Sequence, residues 1–139
     1  MKELKILIVE NIDYKQNLWI KTFQIISKIH KLKIGAIHTA KNGVEVENYI
    51  ESNVYDLAIL DIQLDMPLEK DGIYLAHLLR NKEKSQLIYL TTAYRKGQYE
   101  EQVQNLLKSG IINGFIHKAD GGVPTLKKEI EDIKNLLME

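Results

Sequence analysis

Five short apolar runs recur along this chain, and the segments between them follow a different period. "LKILIV" (4–9), "KIGAIHTA" (33–40), "DLAILDI" (56–62), "QLIYLTTA" (86–93) and "GFIHKA" (114–119) are too short for helices and rich in β-branched residues. That is the pattern of strands covered on both faces. Between them apolar residues return at three and four. Leu18, Trp19, Thr22, Phe23, Ile26 and Ile29 do so from Asp13 to His30, and Val44, Val46, Tyr49 and Ile50 do so in a shorter segment. Segments 73–81, 99–109 and 124–138 continue the alternation. These are amphipathic helices by period, with Asn11 or Asp13 expected to cap the first and Asp71 the third. Gly110 should stop the fourth, and Pro124 suits the first turn of the last. Each return to a parallel strand needs a crossover, so the expectation is an α/β, doubly wound (βα)5 parallel sheet with helices on both faces. No repeat or linker divides it, and 1–139 is expected to be a single domain.

A chain of 139 residues can bury about two thirds of its unfolded surface in such a fold. Lysine plus arginine equals aspartate plus glutamate at 19 each, so no cationic excess favours nucleic acid or an anionic membrane. No apolar stretch reaches the roughly 20 residues that span a bilayer. The absence of cysteine excludes disulfide and thiolate chemistry and makes the cytoplasm the simplest address. The four histidines lack zinc-ligand spacing.

In open parallel sheets the working site lies beyond the carboxyl ends of the strands. Those ends carry Glu10-Asn11, Asp61, Thr91-Thr92 and Lys118. Asp61 follows Ala58-Ile59-Leu60 directly, so a carboxylate closes the most apolar strand. Flanking acid and amide oxygens can hold Mg²⁺, which keeps several waters and needs few protein ligands. A lysine and a small hydroxyl opposite would bind the oxygens of an incoming anion. Acid, metal, lysine and hydroxyl together describe phosphoryl transfer with the carboxylate as nucleophile.

The segments "KILIVEN", "YDLAILDIQL", "DG", "LTTAY" and "GFIHKAD", in this order, resemble a response-regulator receiver domain, the phospho-acceptor module of two-component phosphorelay signalling. The resemblance covers essentially the whole chain and implies a flavodoxin-like fold with strand order 2-1-3-4-5. It implies that Asp61 accepts a phosphoryl group from a phosphohistidine on a sensor histidine kinase or histidine phosphotransfer protein. Lys118 and Thr92 would hold the phosphoryl oxygens, and Phe115 would switch with Thr92. Glu10, Asn11, Asp61 and the backbone carbonyl of Gln63 would hold Mg²⁺. Such a module catalyses its own phosphorylation and dephosphorylation without being a conventional turnover enzyme. Tyr94, two residues past Thr92, is bulky where the family tunes water access, and slow loss of the phosphoryl group is expected. With no output region following the fifth helix, the signal should pass to a separate effector protein. It would do so through the fourth helix, fifth strand and fifth helix, the face through which a homodimer would also form.

Three departures qualify the resemblance. Asn11 stands where the family has a second acid, so weakened Mg²⁺ affinity is expected. Met66-Pro67 and Asp71-Gly72 are displaced by extra residues, and Asp65, Glu69 and Asp71 in that loop read as solvated acids and a helix cap. Ala119 replaces the proline that commonly follows the lysine. Asn11 also favours a rival, a pseudo-receiver that docks proteins without phosphorylation. A flavodoxin-type cofactor protein would instead need a hydroxyl- and glycine-rich loop after the first strand, where this chain has Glu10-Asn11.

Overall fold

The computed structural model describes residues 3–64, 66–92, 99–117 and 135. Within them β1 (Leu4–Val9), α1 (Asp13–His30), β2 (Ile34–Ala40), α2 (Gly43–Ile50), β3 (Leu57–Asp61), α3 (Gly72–Lys82), β4 (Leu87–Thr92), α4 (Glu100–Lys108) and β5 (Gly114–His117) follow one another. All four strand pairings are parallel, in the order β2-β1-β3-β4-β5. This is the flavodoxin-like receiver arrangement that the alternation and the resemblance imply. The expected last helix, 124–138, lies outside the described residues.

Alternation along each strand divides the core into two layers. Leu7, Val9, Ala58, Leu60, Ile88 and Leu90 face the side covered by α2, α3 and α4. Ile6, Ile8, Leu57, Ile59 and Tyr89 face α1 through Trp19, Phe23 and Ile26. β3 is buried at every position, which is why it reads as a continuous apolar run closed by one carboxylate. Trp19 and Phe23 stack with ring centroids 6.2 Å apart. Truncating a buried phenylalanine of this kind costs about 3–5 kcal/mol.

Two helix expectations need correction. Neither Asn11 nor Asp13 caps α1: its N-cap is Ile12, which offers no side-chain bond. Asp13 is the first helical residue, and its carboxylate pairs with Lys41 at 2.7 Å. The buried stripe of α1 is also narrower than its apolar content. Gln16, Trp19, Phe23 and Ile26 are buried, whereas Leu18 and Ile29 are exposed, because the sheet covers this helix on one side only. The other punctuation falls where the sequence puts it. Asn42 and Asp71 cap α2 and α3, each accepting a backbone N–H at 2.9 Å. Gly110, at φ 77°, occupies the left-handed region just past α4.

The far edge is locked by one guanidinium. Arg80 on α3 donates to the carbonyls of Ile111, Lys84 and Gln86 and to Asn113 Oδ1, which also accepts the Ile88 N–H. Burial lowers the Arg80 pKa. The result fixes α3, the start of β4 and the approach to β5 relative to one another, and so sets where the strand ends emerge.

Candidate functional site

Strand register assembles the site. Val9 pairs with Leu60 and Asp61 with Thr91, so Glu10, Asp61 and Thr91 follow one another across β1, β3 and β4 at about the 4.8 Å inter-strand spacing. Thr92 pairs with His117, the last described residue of β5. Lys118 follows it and, with Tyr94, lies outside the described residues, as do Asp65 and Ala119.

These polar groups are not solvated strand ends. Glu10 is 1% exposed, Asp61 7%, Thr91 1% and Thr92 2%. The Ile12 N–H donates to Glu10 Oε1 at 3.3 Å. The Gln63 N–H donates to Asp61 Oδ1 at 3.1 Å, fixing one oxygen of the carboxylate. The hydroxyl of Thr91 is buried with no hydrogen-bond partner among the described residues. It is a second hydroxyl at the rim, which the sequence pattern passed over in favour of Thr92.

Below the rim, Gln16 of α1 donates its amide to the carbonyl of Glu10 at 2.7 Å and to that of Ala40 at 3.2 Å. This clamps the ends of β1 and β2 and holds Glu10 in place. Sequence gives little sign of it, since a glutamine in an amphipathic helix reads as surface.

The loop after Asp61 is held from both sides. Gly72 donates its N–H to the Ile62 carbonyl at 2.9 Å, so the chain returns to the back of β3 before α3 begins. A Cβ on Gly72 would stand 2.3 Å from the Asp61 carbonyl oxygen, so no larger residue fits this close approach. Lys70 reaches α2, pairing with Glu47 at 2.5 Å, and the Tyr74 hydroxyl donates to the other Glu47 oxygen at 3.0 Å. The Lys70 hydrogen bond, then that of Tyr74, lowers the Glu47 pKa below the ordinary carboxylate value, while Glu47 raises that of Lys70. The extra loop residues are thus anchored through Lys70, while Glu69 is solvated as expected.

Two buried carboxylates on neighbouring strands repel one another, and a divalent cation relieves that repulsion. The ligands that the resemblance implies are all oxygens, those of Glu10, Asp61, the Asn11 amide and the backbone carbonyl of Gln63, and of these Glu10 and Asp61 are buried at adjacent strand ends. That set fits Mg²⁺, which binds through one or two carboxylates and retains water. No trio of His, Cys, Asp or Glu side chains among the described residues could hold a metal.

Comparison with known proteins fixes the family. The model of the response regulator receiver domain matches residues 6–131. The chain belongs to the response regulator receiver domain family. This receiver is similar to the response regulator TrrA from Thermotoga maritima, solved in complex with Mg(2+)-BeF. The two share 28% identity over 96% of this chain and 98% of that one, with a TM-score of 0.68. A two-component response regulator from Clostridium difficile is 25% identical, covering 99% and 98%, with a TM-score of 0.64. A CheY-like receiver from Methanospirillum hungatei, at 20% identity, 98% and 94% coverage and a TM-score of 0.66, shares the fold. No curated protein matches the chain. Membership in this family makes the receiver a two-component signalling module. Among its described residues no helix is long and apolar enough to cross a membrane.

Proposed function

We propose that this receiver is a phosphorylatable switch in which Asp61 accepts a phosphoryl group from a phosphohistidine of a partner kinase or phosphotransfer protein. The observation that carries this is the placement of Asp61: buried at the carboxyl end of β3, beside the two threonines of β4 and the end of β1, which Glu10 follows. A nucleophile needs such a setting, since in-line transfer requires positioning and charge neutralisation more than covalent help. Asp61 Oδ attacks phosphorus, the phosphorus–nitrogen bond breaks, and the departing imidazole takes up a proton. Hydrolysis later returns the carboxylate and inorganic phosphate.

Glu10, Asn11, Asp61 and the Gln63 carbonyl would hold Mg²⁺, which when bound neutralises charge on the transferring group. Asn11 brings no charge to that set, and weaker Mg²⁺ binding follows. Thr92 and Lys118 would bind the phosphoryl oxygens, and Tyr94 would restrict water and slow hydrolysis. Inward movement of Thr92 would make room for Phe115, which is partly buried against the α2–α3–α4 layer. The face around α4, β5 and the last helix would then repack and engage a separate effector or a second copy, in the cytoplasm. The driving force is the difference in contacts that a dianion makes with the two arrangements.

The neutral Asn11 favours a second reading, a docking module that works without phosphorylation. Mass spectrometry of wild type and Asp61→Asn after treatment with a small phosphodonor, at several Mg²⁺ concentrations, separates the two. A wild-type adduct absent from Asp61→Asn supports the switch, and no Asp61-dependent adduct at high Mg²⁺ supports the docking module.

A further inference from the structure

Gln63 contacts two places at once. Its backbone N–H donates to Asp61 Oδ1 at 3.1 Å, and its side-chain amide donates to the hydroxyl of Tyr99 at 2.6 Å. Tyr99 is the N-cap residue of α4, its carbonyl accepts the Val103 N–H in the first turn, and its ring packs against the layer that contains Val103 and Leu106. The cap makes no side-chain hydrogen bond to its own helix. The start of α4 is therefore tied to the β3 loop through a residue whose backbone also binds the acceptor carboxylate.

We propose that Gln63 is a positioning residue that couples the state of Asp61 to α4, with the Gln63–Tyr99 hydrogen bond acting as a latch on the unmodified form. The inference rests on Asp61 being the acceptor. As a carboxylate, Asp61 Oδ1 accepts a charge-assisted hydrogen bond from the Gln63 N–H, and such bonds are roughly twice as strong as neutral ones. Bonding of one carboxylate oxygen to phosphorus, or to beryllium in a beryllofluoride adduct, removes the formal charge and leaves a weaker acceptor. The grip on the Gln63 backbone then loosens. The amide attached to it cannot keep a short, aligned contact with Tyr99 as that backbone shifts, because hydrogen bonds weaken steeply with misalignment. An interaction present in only one of two states biases the equilibrium towards that state, so the latch opposes modification and modification releases α4.

Tyr99→Phe tests this, since it removes the acceptor and keeps the ring that packs on the core. The first measurement is beryllofluoride binding in Mg²⁺, followed through the Asp61-dependent adduct. Loss of one neutral hydrogen bond from the unmodified state should tighten binding about two- to tenfold. The second is hydrogen exchange of the 100–108 amides with and without beryllofluoride. In wild type the adduct should accelerate exchange in the first turn of α4. In Tyr99→Phe exchange should already be fast, so the difference between the two states shrinks. Gln63→Leu, which keeps the backbone groups, should reproduce both effects. A purely structural bond would alter exchange equally in both states and leave adduct affinity unchanged, and that result overturns the latch while leaving Asp61 as acceptor. Absence of any Asp61-dependent adduct in wild type overturns both.

Discussion

Gly72 lies so close behind Asp61 that a Cβ on it would stand 2.3 Å from the Asp61 carbonyl oxygen and 2.8 Å from the carbonyl carbon. The start of α3 thus rests on the backbone of the residue that carries the candidate chemistry. Gly72→Ala must displace backbone rather than a flexible side chain. Overpacking of this kind costs about 1–3 kcal/mol. Denaturant unfolding should show that loss, and the yield of the Asp61 adduct should fall more than for Gly110→Ala, which is strained by its positive φ but has open space around it and lies away from Asp61. Equal yields from the two variants would mean that the contact does not position Asp61.

Asn11→Asp adds a charge one residue past the buried Glu10, at the end of the sheet where Asp61 is also buried. Unit charges about 4 Å apart interact by roughly 4 kcal/mol at an effective dielectric of 20, before desolvation offsets part of it. Without metal the variant should melt at a lower temperature than wild type. With Mg²⁺ it should recover more than wild type does, and the Mg²⁺ needed for half-maximal adduct should drop about tenfold or more. An unchanged Mg²⁺ requirement would remove Asn11 from the metal site.

Glu47 gives an acid-side signature. Hydrogen bonds from Lys70 and then Tyr74 hold its pKa below 4.5, so it binds its proton less readily folded than unfolded. A depressed pKa contributes stability that is present above the ordinary value and lost as pH falls through the depressed one. Stability should therefore decline below about pH 4.5, and Glu47→Gln should flatten that part of the profile. The pair is partly exposed, so the effect should be small and should weaken in high salt. Superimposable profiles for wild type and Glu47→Gln would show that the loop anchor carries no pH-dependent stability.

Tyr55 gives the alkaline counterpart. Burial, and secondarily the nearby Tyr49, raises its pKa to about 12, and its hydroxyl lies 2.7 Å from His38 Nδ1. A raised phenol pKa contributes stability that is complete below the ordinary 10.0 and disappears between about pH 10 and 12. Absorbance titration should reveal late tyrosine ionisation reaching about pH 12, with an amplitude that drops by one residue in Tyr55→Phe. An undiminished late phase in the variant would assign it elsewhere.

The strands were legible because burial on both faces forces a continuous apolar run, and the change of period to three and four marked the helices between them. Asp71 and Gly110 were legible because capping and the left-handed conformation depend on local chemistry. α1 was less so. Its excess apolar residues, Leu18 and Ile29, widen the apparent buried stripe, and Asp13 looked like a cap until Lys41 supplied a partner from another element. In the site, Asp61 and Glu10 could be found by counting to the ends of strands. Gln16, the Gly72 contact and the Gln63–Tyr99 bond could not, because each joins residues whose separation in the chain carries no period.

Local pattern in the amino-acid sequence determined the order and kind of elements, and with them the rim where a parallel sheet gathers its strand ends. Periodicity and capping act over a few residues, so one dimension suffices to record them. Register and packing decided the rest: that Glu10 and Asp61 are both buried on neighbouring strands, that the long loop is anchored to Glu47, and that one glutamine spans from the carboxylate to α4. Those relationships arise only when distant segments compete for the same space, and only the folded chain settles that competition.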